Sequence, residues 1–143
     1  MNNFTRSGIL FVVSAPSGTG KTTLCSNVRQ TPDLVYSVSC TTRPIRKGEK
    51  DGADYYFLAK GDFEKKIKAG DMLEHADVYG HYYGTPKGPI LEHLAAGRDV
   101  LLDIDVQGAR QIRESQDPKI RAALADIFIM PPDLEELRRR LEG

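Results

Sequence analysis

The stretch ILFVVSAPSGTGKTTL, residues 9–24, changes from an apolar run into a loop of small residues that ends in a lysine and a threonine. Its first part, ILFVVS, is continuous and β-rich, as is typical of a strand buried on both faces. Its last part continues into KTTLCSNVRQ, which has helical character. A strand, a glycine-containing loop and a helix in this order predict a polyphosphate site, because loop N–H groups and the N-terminal end of a helix both attract anions.

The loop APSGTGKT, residues 15–22, fits the Walker A pattern, except that alanine replaces the first glycine of the pattern. In this pattern Lys21 reaches the β- and γ-phosphates of a nucleotide, and Thr22 binds Mg²⁺. The predicted ATP-binding residues are Ala15, Pro16, Ser17, Gly18, Thr19, Gly20, Lys21 and Thr22. The sequence therefore predicts an ATP site with Mg²⁺ as its cofactor.

A second apolar run, DVLLDID at residues 99–105, is a candidate for the Walker B strand. Asp103 and Asp105 are two residues apart, so on a strand they share one side. One of them should face the phosphates at the carboxyl edge of the sheet, where open α/β sheets bind ligands. We assign the metal to Asp103 together with Thr22, although a strand end made soluble by acidic residues is the alternative.

The segment between these two motifs carries candidates for holding a phosphate and a base. The long loop TTRPIRKGEKDGAD, residues 41–54, contains Arg43 and Arg46, and arginines suit a bidentate grip on phosphate. In MLEHADVYGHYYGT, residues 72–85, Glu74 is the candidate for base recognition. One carboxylate can accept both N1–H and N2–H₂ of guanine, whereas adenine offers no such pair of donors. Taken singly each residue is a weak signal, since charged side chains in polar loops are usually surface charges.

Strand and helix patterns alternate at both ends of the chain, which predicts a parallel sheet with helices on both faces. The middle is rich in strands with hairpin-like connections, as expected for an inserted subdomain. The predicted class is α/β, a P-loop fold of three layers with an inserted mixed-β unit. The predicted division is the first part of the core at 1–36, the inserted subdomain at 37–89, and the second part of the core at 90–143.

Three blocks that follow SAPSGTGKT carry a resemblance to guanylate kinases. They are SVSCTTRPIRKGEKDGADYYF at 37–57, LEHADVYGHYYGT at 73–85 and LLDIDVQGA at 101–109. The similarity covers nearly the whole chain, and TTRPIRKGE and YYGT are specific to that family and its close relatives. The resemblance implies transfer of the γ-phosphoryl group of ATP to GMP, giving ADP and GDP. It also implies that the inserted subdomain binds the nucleoside monophosphate.

The same resemblance assigns a role to individual residues. The residues it places around GMP are Ser39, Arg43, Arg46, Tyr55, Glu74, Tyr83, Thr85 and Asp105. Ser39 and Glu74 would recognise guanine with the help of Thr85 and Asp105, and the arginines and tyrosines would hold the phosphate. The catalytic residues would be Lys21, Arg43 and Arg140, because phosphoryl transfer depends on positioning and charge neutralisation.

In guanylate kinases a lid begins at the position of RRRLEG, residues 138–143, and its arginines close over the ATP phosphates. Arg140 matches the first of these arginines, and the next would follow Gly143 directly. Loss of arginines that stabilise a transferring phosphoryl group costs about 10³ to 10⁵ in rate in analogous enzymes. We therefore expect GMP binding with weak or no turnover from these 143 residues.

Composition narrows the class of protein. The 20 basic and 20 acidic side chains give no net charge, which argues against a general nucleic-acid or membrane-surface binder. No apolar run approaches the roughly 20 residues of a membrane span. The polar start MNNFTRSG predicts no signal peptide, and two cysteines predict no disulfide framework. We expect a cytoplasmic protein, monomeric or homodimeric, whose partners are its substrates ATP and GMP.

Three other functions were weighed against this prediction. A kinase of a phosphorylated sugar would keep the phosphate loop but would not need Glu74 for guanine. An inert guanylate-kinase-like module that binds GMP or partner proteins usually loses the phosphate loop, whereas Lys21 and Thr22 are present here. A GTPase or ATPase switch would need a base-recognition motif such as N-K-x-D, which the sequence lacks.

Overall fold

The computed structural model describes residues 5–15, 21–130 and 133–142, with the backbone alone at 21–24, 134, 137 and 140. Eight strands lie in these residues: β1 Leu10–Ser14, β2 Leu34–Tyr36, β3 Cys40–Thr41, β4 Tyr56–Phe57, β5 Met72–Val78, β6 His81–Pro86, β7 Asp99–Asp103 and β8 Leu124–Phe128. The helices are α1 Lys21–Val28, α2 Lys60–Lys68, α3 Lys87–Ala95, α4 Val106–Arg113, α5 Pro118–Ala123 and α6 Leu134–Glu142.

The first sheet is parallel throughout and has the strand order β2-β7-β1-β8. Its central strands β1 and β7 are the apolar runs on which the prediction of buried strands was based. Leu10 pairs with Val100 and Val12 with Leu102, and all four side chains are fully buried. Non-alternating apolar strands of this kind need cover on both faces.

Helices provide this cover on both faces, which confirms the predicted α/β architecture. One face packs on α3, α4 and α5, whose buried side chains there are Ile90, Leu94, Ala109, Ile112 and Ile120. The other face packs on α1 through Cys25, next to Val13 and Leu101. Full burial of a Leu or Ile side chain contributes about 1.5–3 kcal/mol, so the larger first cluster supplies most of the hydrophobic stabilisation.

The second sheet has the strand order β4-β3-β6-β5. Its β3–β4 pair is parallel, and its β3–β6 and β5–β6 pairs are antiparallel, so it is mixed as predicted. Strand β5 lies against α4, which joins this sheet to the first one.

The sequence of LVYSVSC, residues 34–40, predicts a single strand, and this prediction is wrong. Strand β2 ends at Tyr36 in the first sheet, and β3 begins at Cys40 in the second. Between them Ser37 N–H still donates to Leu101 O of the first sheet at 3.0 Å, while Ser39 O accepts from Tyr56 N–H of the second at 2.9 Å. The chain therefore crosses from one sheet to the other within residues 37–39.

The sequence MLEHADVYGHYYGT, residues 72–85, predicts two strands joined through Gly80, and β5 and β6 form this hairpin. The pair that closes it is Val78 and His81, and the two residues of its turn, Tyr79 and Gly80, have φ of 53° and 84°. Two consecutive positive φ angles give a turn whose twist matches that of the strands. Glycine adopts this conformation readily, but tyrosine does not.

The starts of α5 and α6 are each capped by an aspartate that directly precedes the helix. The sequence DLEELRRRLEG, residues 133–143, predicts a helix capped by Asp133. Asp133 does cap α6, with its Oδ1 accepting from Glu136 N–H at 2.6 Å. Helix α5 was not predicted, although Asp117 and Pro118 are a recognisable start: Asp117 Oδ1 accepts from Lys119 N–H at 2.9 Å, and proline takes the first turn. Among the described helices none is long and apolar enough to cross a membrane.

The turn of the β5–β6 hairpin supplies a test of backbone strain. Tyr79 is 99% exposed, so replacing it removes no packing. Tyr79→Asn should raise the free energy of unfolding by about 1 kcal/mol, since a left-handed residue costs roughly 1–2 kcal/mol and asparagine offsets part of this locally. Tyr79→Ala is the control: it removes the same ring and should give no such gain. Urea denaturation measures both, and equal stabilities of the two variants would contradict the strain argument.

Candidate active site

A cavity of about 330 Å³ lies between the two sheets at the carboxyl end of β7. Parallel α/β sheets bind ligands at this edge, because the loops and helix starts that follow the strands converge there. Residues predicted for the site make up much of its wall: Ser39, Tyr55, Glu74, Tyr83, Asp103 and Asp105. They come from separate parts of the chain, and only folding brings them together.

Glu74 on β5 is the most unusual group in this wall, because it is an acidic residue that is only 8% exposed. It pairs across the hairpin with Thr85, whose Oγ1 donates to Glu74 Oε1 at 2.7 Å. Burial raises the pKa of Glu74; the hydrogen bond from Thr85 opposes this shift, and the charge of Asp105 adds to it. Further donors from a ligand would stabilise the charged form of this carboxylate, and perturbed carboxyl groups of this kind are common in binding sites.

Helix α4 approaches Glu74 closely at Gly108. A Cβ atom at this position would lie 3.0 Å from Glu74 Oε2 and 3.2 Å from Asp105 Oδ1. Asp105 is the N-cap of α4, and its Oδ1 accepts from Gly108 N–H at 2.7 Å. The absence of a side chain at position 108 therefore lets the two carboxyl groups and the first turn of α4 meet. Sequence reasoning did not identify Gly108, although a glycine in the first turn of a helix after an acidic cap is a usable signal.

The expectation that Asp103 and Asp105 lie on one strand is wrong. Strand β7 ends at Asp103, and Asp105 starts the next helix. Both aspartates still line the cavity, together with Ile104 between them. Asp103 also borders a second cavity of about 230 Å³, which Arg29 and Tyr36 share.

Arg43 lies beside the site, buried under its loop and with four of its N–H groups directed at acceptors. Two donate to Glu49 at 2.8 and 2.9 Å, one to Tyr83 Oη at 3.2 Å, and one to Pro44 O at 3.0 Å. Glu49 Oε1 also accepts from Arg46 N–H at 2.8 Å. These bonds, chiefly those from Arg43, lower the pKa of Glu49 to about 2, and Glu49 raises the pKa of Arg43.

Sequence reasoning missed Glu49, whose position six residues after Arg43 in an irregular loop follows no period. The remaining predicted phosphate residues differ in placement. The Tyr55 ring lies edge-on to that of Tyr83, with 6.0 Å between centroids, and Arg43 Cζ lies 5.4 Å from the Tyr55 centroid. Arg46 is in the exposed part of the loop, and the contact described for it is through its backbone. The structure thus brings Arg43, Tyr55 and Tyr83 together.

The predicted ATP-binding loop falls mostly outside the described residues. Ala15 is described and buried at the end of β1. The predicted residues outside the description are Pro16, Ser17, Gly18, Thr19 and Gly20, together with the side chains of Lys21, Thr22 and Arg140. Within the described residues no group of three or more histidine, cysteine or acidic side chains could hold a metal ion. The roles given to these residues stay predictions.

Comparison with known proteins gives a consistent result. A model of the guanylate kinase family, described as "Guanylate kinase", matches residues 7–143. The guanylate kinases of Symbiobacterium thermophilum and Clostridium tetani are each 50% identical over 94% of this chain, which spans 62% of their length. A crystal structure of guanylate kinase from Anaplasma phagocytophilum superposes with a TM-score of 0.70 at 40% identity, over 96% of this chain and 67% of that one.

The Arg43–Glu49 pair predicts a pH dependence of stability. The pKa of Glu49 is about 2 in the folded chain against 4.5 ordinarily, so its ionised form stabilises the fold above pH 4.5. This contribution is lost as the pH falls from 4.5 toward 2. Glu49→Gln should therefore be less stable than the wild type at pH 7, and the two should converge near pH 2. Urea midpoints measured between pH 2 and pH 7 test this.

The control for this experiment is Glu114→Gln, which breaks an exposed ion pair with Arg110 on α4. Exposed pairs contribute about 0–1 kcal/mol, so its stability at pH 7 should stay close to that of the wild type. A Glu49→Gln variant whose difference from the wild type is the same at every pH would show that the ion pair does not produce the effect.

Proposed function

This chain belongs to the guanylate kinase family, and from that membership we propose that it binds GMP between its two sheets and transfers the γ-phosphoryl group of ATP to it. The chain spans 62–64% of the length of the first three curated relatives. The observation that supports the proposal most is the buried carboxylate of Glu74, hydrogen-bonded to Thr85 in a cavity at the carboxyl edge of a parallel sheet.

Glu74 is the proposed recognition group for guanine. Thr85 donates to one carboxylate oxygen and fixes the plane of the group, so that N1–H and N2–H₂ of the base can donate to the carboxylate. Ser39 and Asp105 line the same cavity and would assist. Adenine has no N1–H, and its binding would leave the buried carboxylate with the donor from Thr85 but without the donor pair of guanine. A site built on such hydrogen bonds rejects an analogue that lacks them much more strongly than an apolar pocket would.

The other end of the cavity is proposed to hold the phosphate of GMP through Arg43, Arg46, Tyr55 and Tyr83. Tyr83 Oη accepts from Arg43 Nε, which leaves its own O–H to donate to a phosphate oxygen. In the described conformation the Arg43 fork is engaged by Glu49. A phosphate can therefore contact Arg43 only if it shares the guanidinium N–H groups with Glu49 or displaces Glu49 from them. Glu49 meanwhile holds the guanidinium in place and neutralises its charge.

The donor side is proposed at the loop after β1, with Lys21 on the phosphates. Strands β1 and β7 lie side by side with Val13 opposite Asp103, so the Asp103 carboxylate is close to the start of this loop. Oxygen donors from Asp103 and Thr22 fit the preference of Mg²⁺, which would neutralise charge on the transferring group when bound. The acceptor oxygen belongs to the already anionic GMP phosphate, so no side chain is needed as a base. Arg140 is proposed to add positive charge near the transferring group.

The proposed division into core and GMP-binding subdomain is supported by which sheet each strand joins. Strand β2 belongs to the first sheet, whereas the strands from β3 to β6 form the second. The proposed boundary at residue 89 lies within α3. A cytoplasmic location also remains a proposal, supported by two buried cysteine thiols, which suit a reducing compartment. A monomer or homodimer is proposed as well.

Calorimetric titration with GMP and AMP tests the acceptor site. The wild type should prefer GMP by about 10²-fold or more, and Glu74→Gln should lose most of this preference. The variant should remain folded at pH 7: the raised pKa of Glu74 means that its ionisation destabilises the fold as the pH rises above the ordinary 4.5, and glutamine removes this cost.

The matched control for the titration is Glu64→Gln on α2, where Glu64 accepts from Tyr82 Oη at 3.3 Å away from the cavity wall. It should bind GMP like the wild type. Equal binding of GMP and AMP by the wild type would overturn the proposed base recognition. Coupled ADP release with ATP and Mg²⁺ then tests transfer, at the low rate expected of these 143 residues. Weak release that depends on GMP and is lost in Lys21→Ala supports the proposal, and release that is independent of GMP or no release at all contradicts it.

A further inference from the structure

Strand β5 has an unusual partner along its outer edge. It is the last strand of the second sheet and pairs with β6 on one side. On the other side His75 N–H donates to Gln111 Oε1 at 3.0 Å, and Gln111 Nε2 donates to His75 O at 2.9 Å. The side-chain amide of Gln111 therefore imitates the donor and acceptor of a neighbouring strand at one position. An edge strand without such a partner presents unpaired N–H and C=O groups.

Gln111 lies on a helix that is itself firmly fixed. On α4, the neighbouring side chains Ala109 and Ile112 are fully buried in the core, and Asp105 caps the first turn. Gly108, one turn before Gln111, is the residue that approaches Glu74 Oε2. The same helix therefore contacts β5 at two successive positions, once at the Glu74 carboxylate and once at the backbone of the next residue.

The register of β5 needs fixing at this point, because a bulge interrupts its pairing. Met72 lies opposite Pro86 and Glu74 opposite Thr85, so Leu73 is the extra residue. This irregularity lets Leu73 enter the core while Glu74 enters the cavity, and both are 8% exposed. A slip of one residue would exchange the faces of the strand and remove the carboxylate from the cavity.

We propose that Gln111 is a positioning residue for base selectivity. By holding the backbone of His75 against α4, it sets the depth at which the Glu74 carboxylate meets the base. Gln111 is not part of the described cavity wall, so it acts through Glu74 and not by contact with the nucleotide. This inference rests on the proposed GMP site and adds a determinant of its specificity.

The test compares the affinities of GMP and inosine 5′-monophosphate, which keeps N1–H and lacks the 2-amino group. Gln111→Met keeps the length of the side chain and removes both hydrogen bonds. It should lower the ratio of the affinity for GMP to the affinity for inosine 5′-monophosphate by about three- to tenfold, which is the effect of one or two hydrogen bonds. The matched control is Gln116→Ala, which loses an exposed hydrogen bond to Glu114 O and should keep the wild-type ratio.

If Gln111 had a purely structural role, Gln111→Met would weaken the binding of both nucleotides by the same factor. An unchanged ratio of the two affinities in Gln111→Met therefore overturns the inference. Amide hydrogen exchange at His75, measured by NMR without nucleotide, tests the clamp independently. Exchange should be at least about tenfold faster in Gln111→Met than in the wild type and in Gln116→Ala; equal rates would also overturn it. A wild type that binds both nucleotides equally would refute the proposed GMP recognition, while the exchange result would still decide whether Gln111 holds β5.

Discussion

A carboxylate removed from water is the constraint around which this site is built. Glu74 is buried beside Asp105, another acidic residue, and burial raises its pKa. Such a group is tolerated only where its surroundings are arranged to orient it. Thr85 donates to it across the hairpin, and Gly108 leaves room for it beside α4. The bulge in β5, the turn at Tyr79 and the cap of α4 all contribute to that one placement.

The basic side of the site is arranged differently. Four N–H groups of Arg43 already donate hydrogen bonds within the protein, to Glu49, Tyr83 and Pro44. The two sides therefore differ in what a ligand must do. In the proposed site, guanine would add hydrogen-bond donors to the one that Thr85 gives Glu74, whereas the phosphate would compete with the carboxylate of Glu49 for Arg43. On this proposal, selectivity between bases depends on Glu74, and the Arg43–Glu49 pair contributes preorganisation.

Local patterns were sufficient for much of the fold. The apolar runs of β1 and β7, the glycine turn of the hairpin and the cap at Asp133 are encoded within a few residues each, and they could be predicted. The split between β2 and β3 could not, since only pairing with β7 and β4 determines where each strand ends. The predicted residues that line the cavity came from motifs. Glu49 was missed because loop conformation brings it to Arg43. The contact of Gln111 was missed because its partner, the backbone of His75 on β5, is 36 residues away in sequence.

The passage of the chain between the sheets has a mechanical consequence. The second sheet is joined covalently to the first at residues 37–39, and again where β6 runs into α3 at Pro86. Ser39 and Thr85 stand at these two junctions, so they lie near the axis of any rotation of one sheet against the other. Points near an axis move little, whereas the loop of Arg43 and Glu49 lies farther along the chain from both. A rotation about this axis would therefore move the loop of Arg43 and Glu49 more than it moves Ser39 and Thr85.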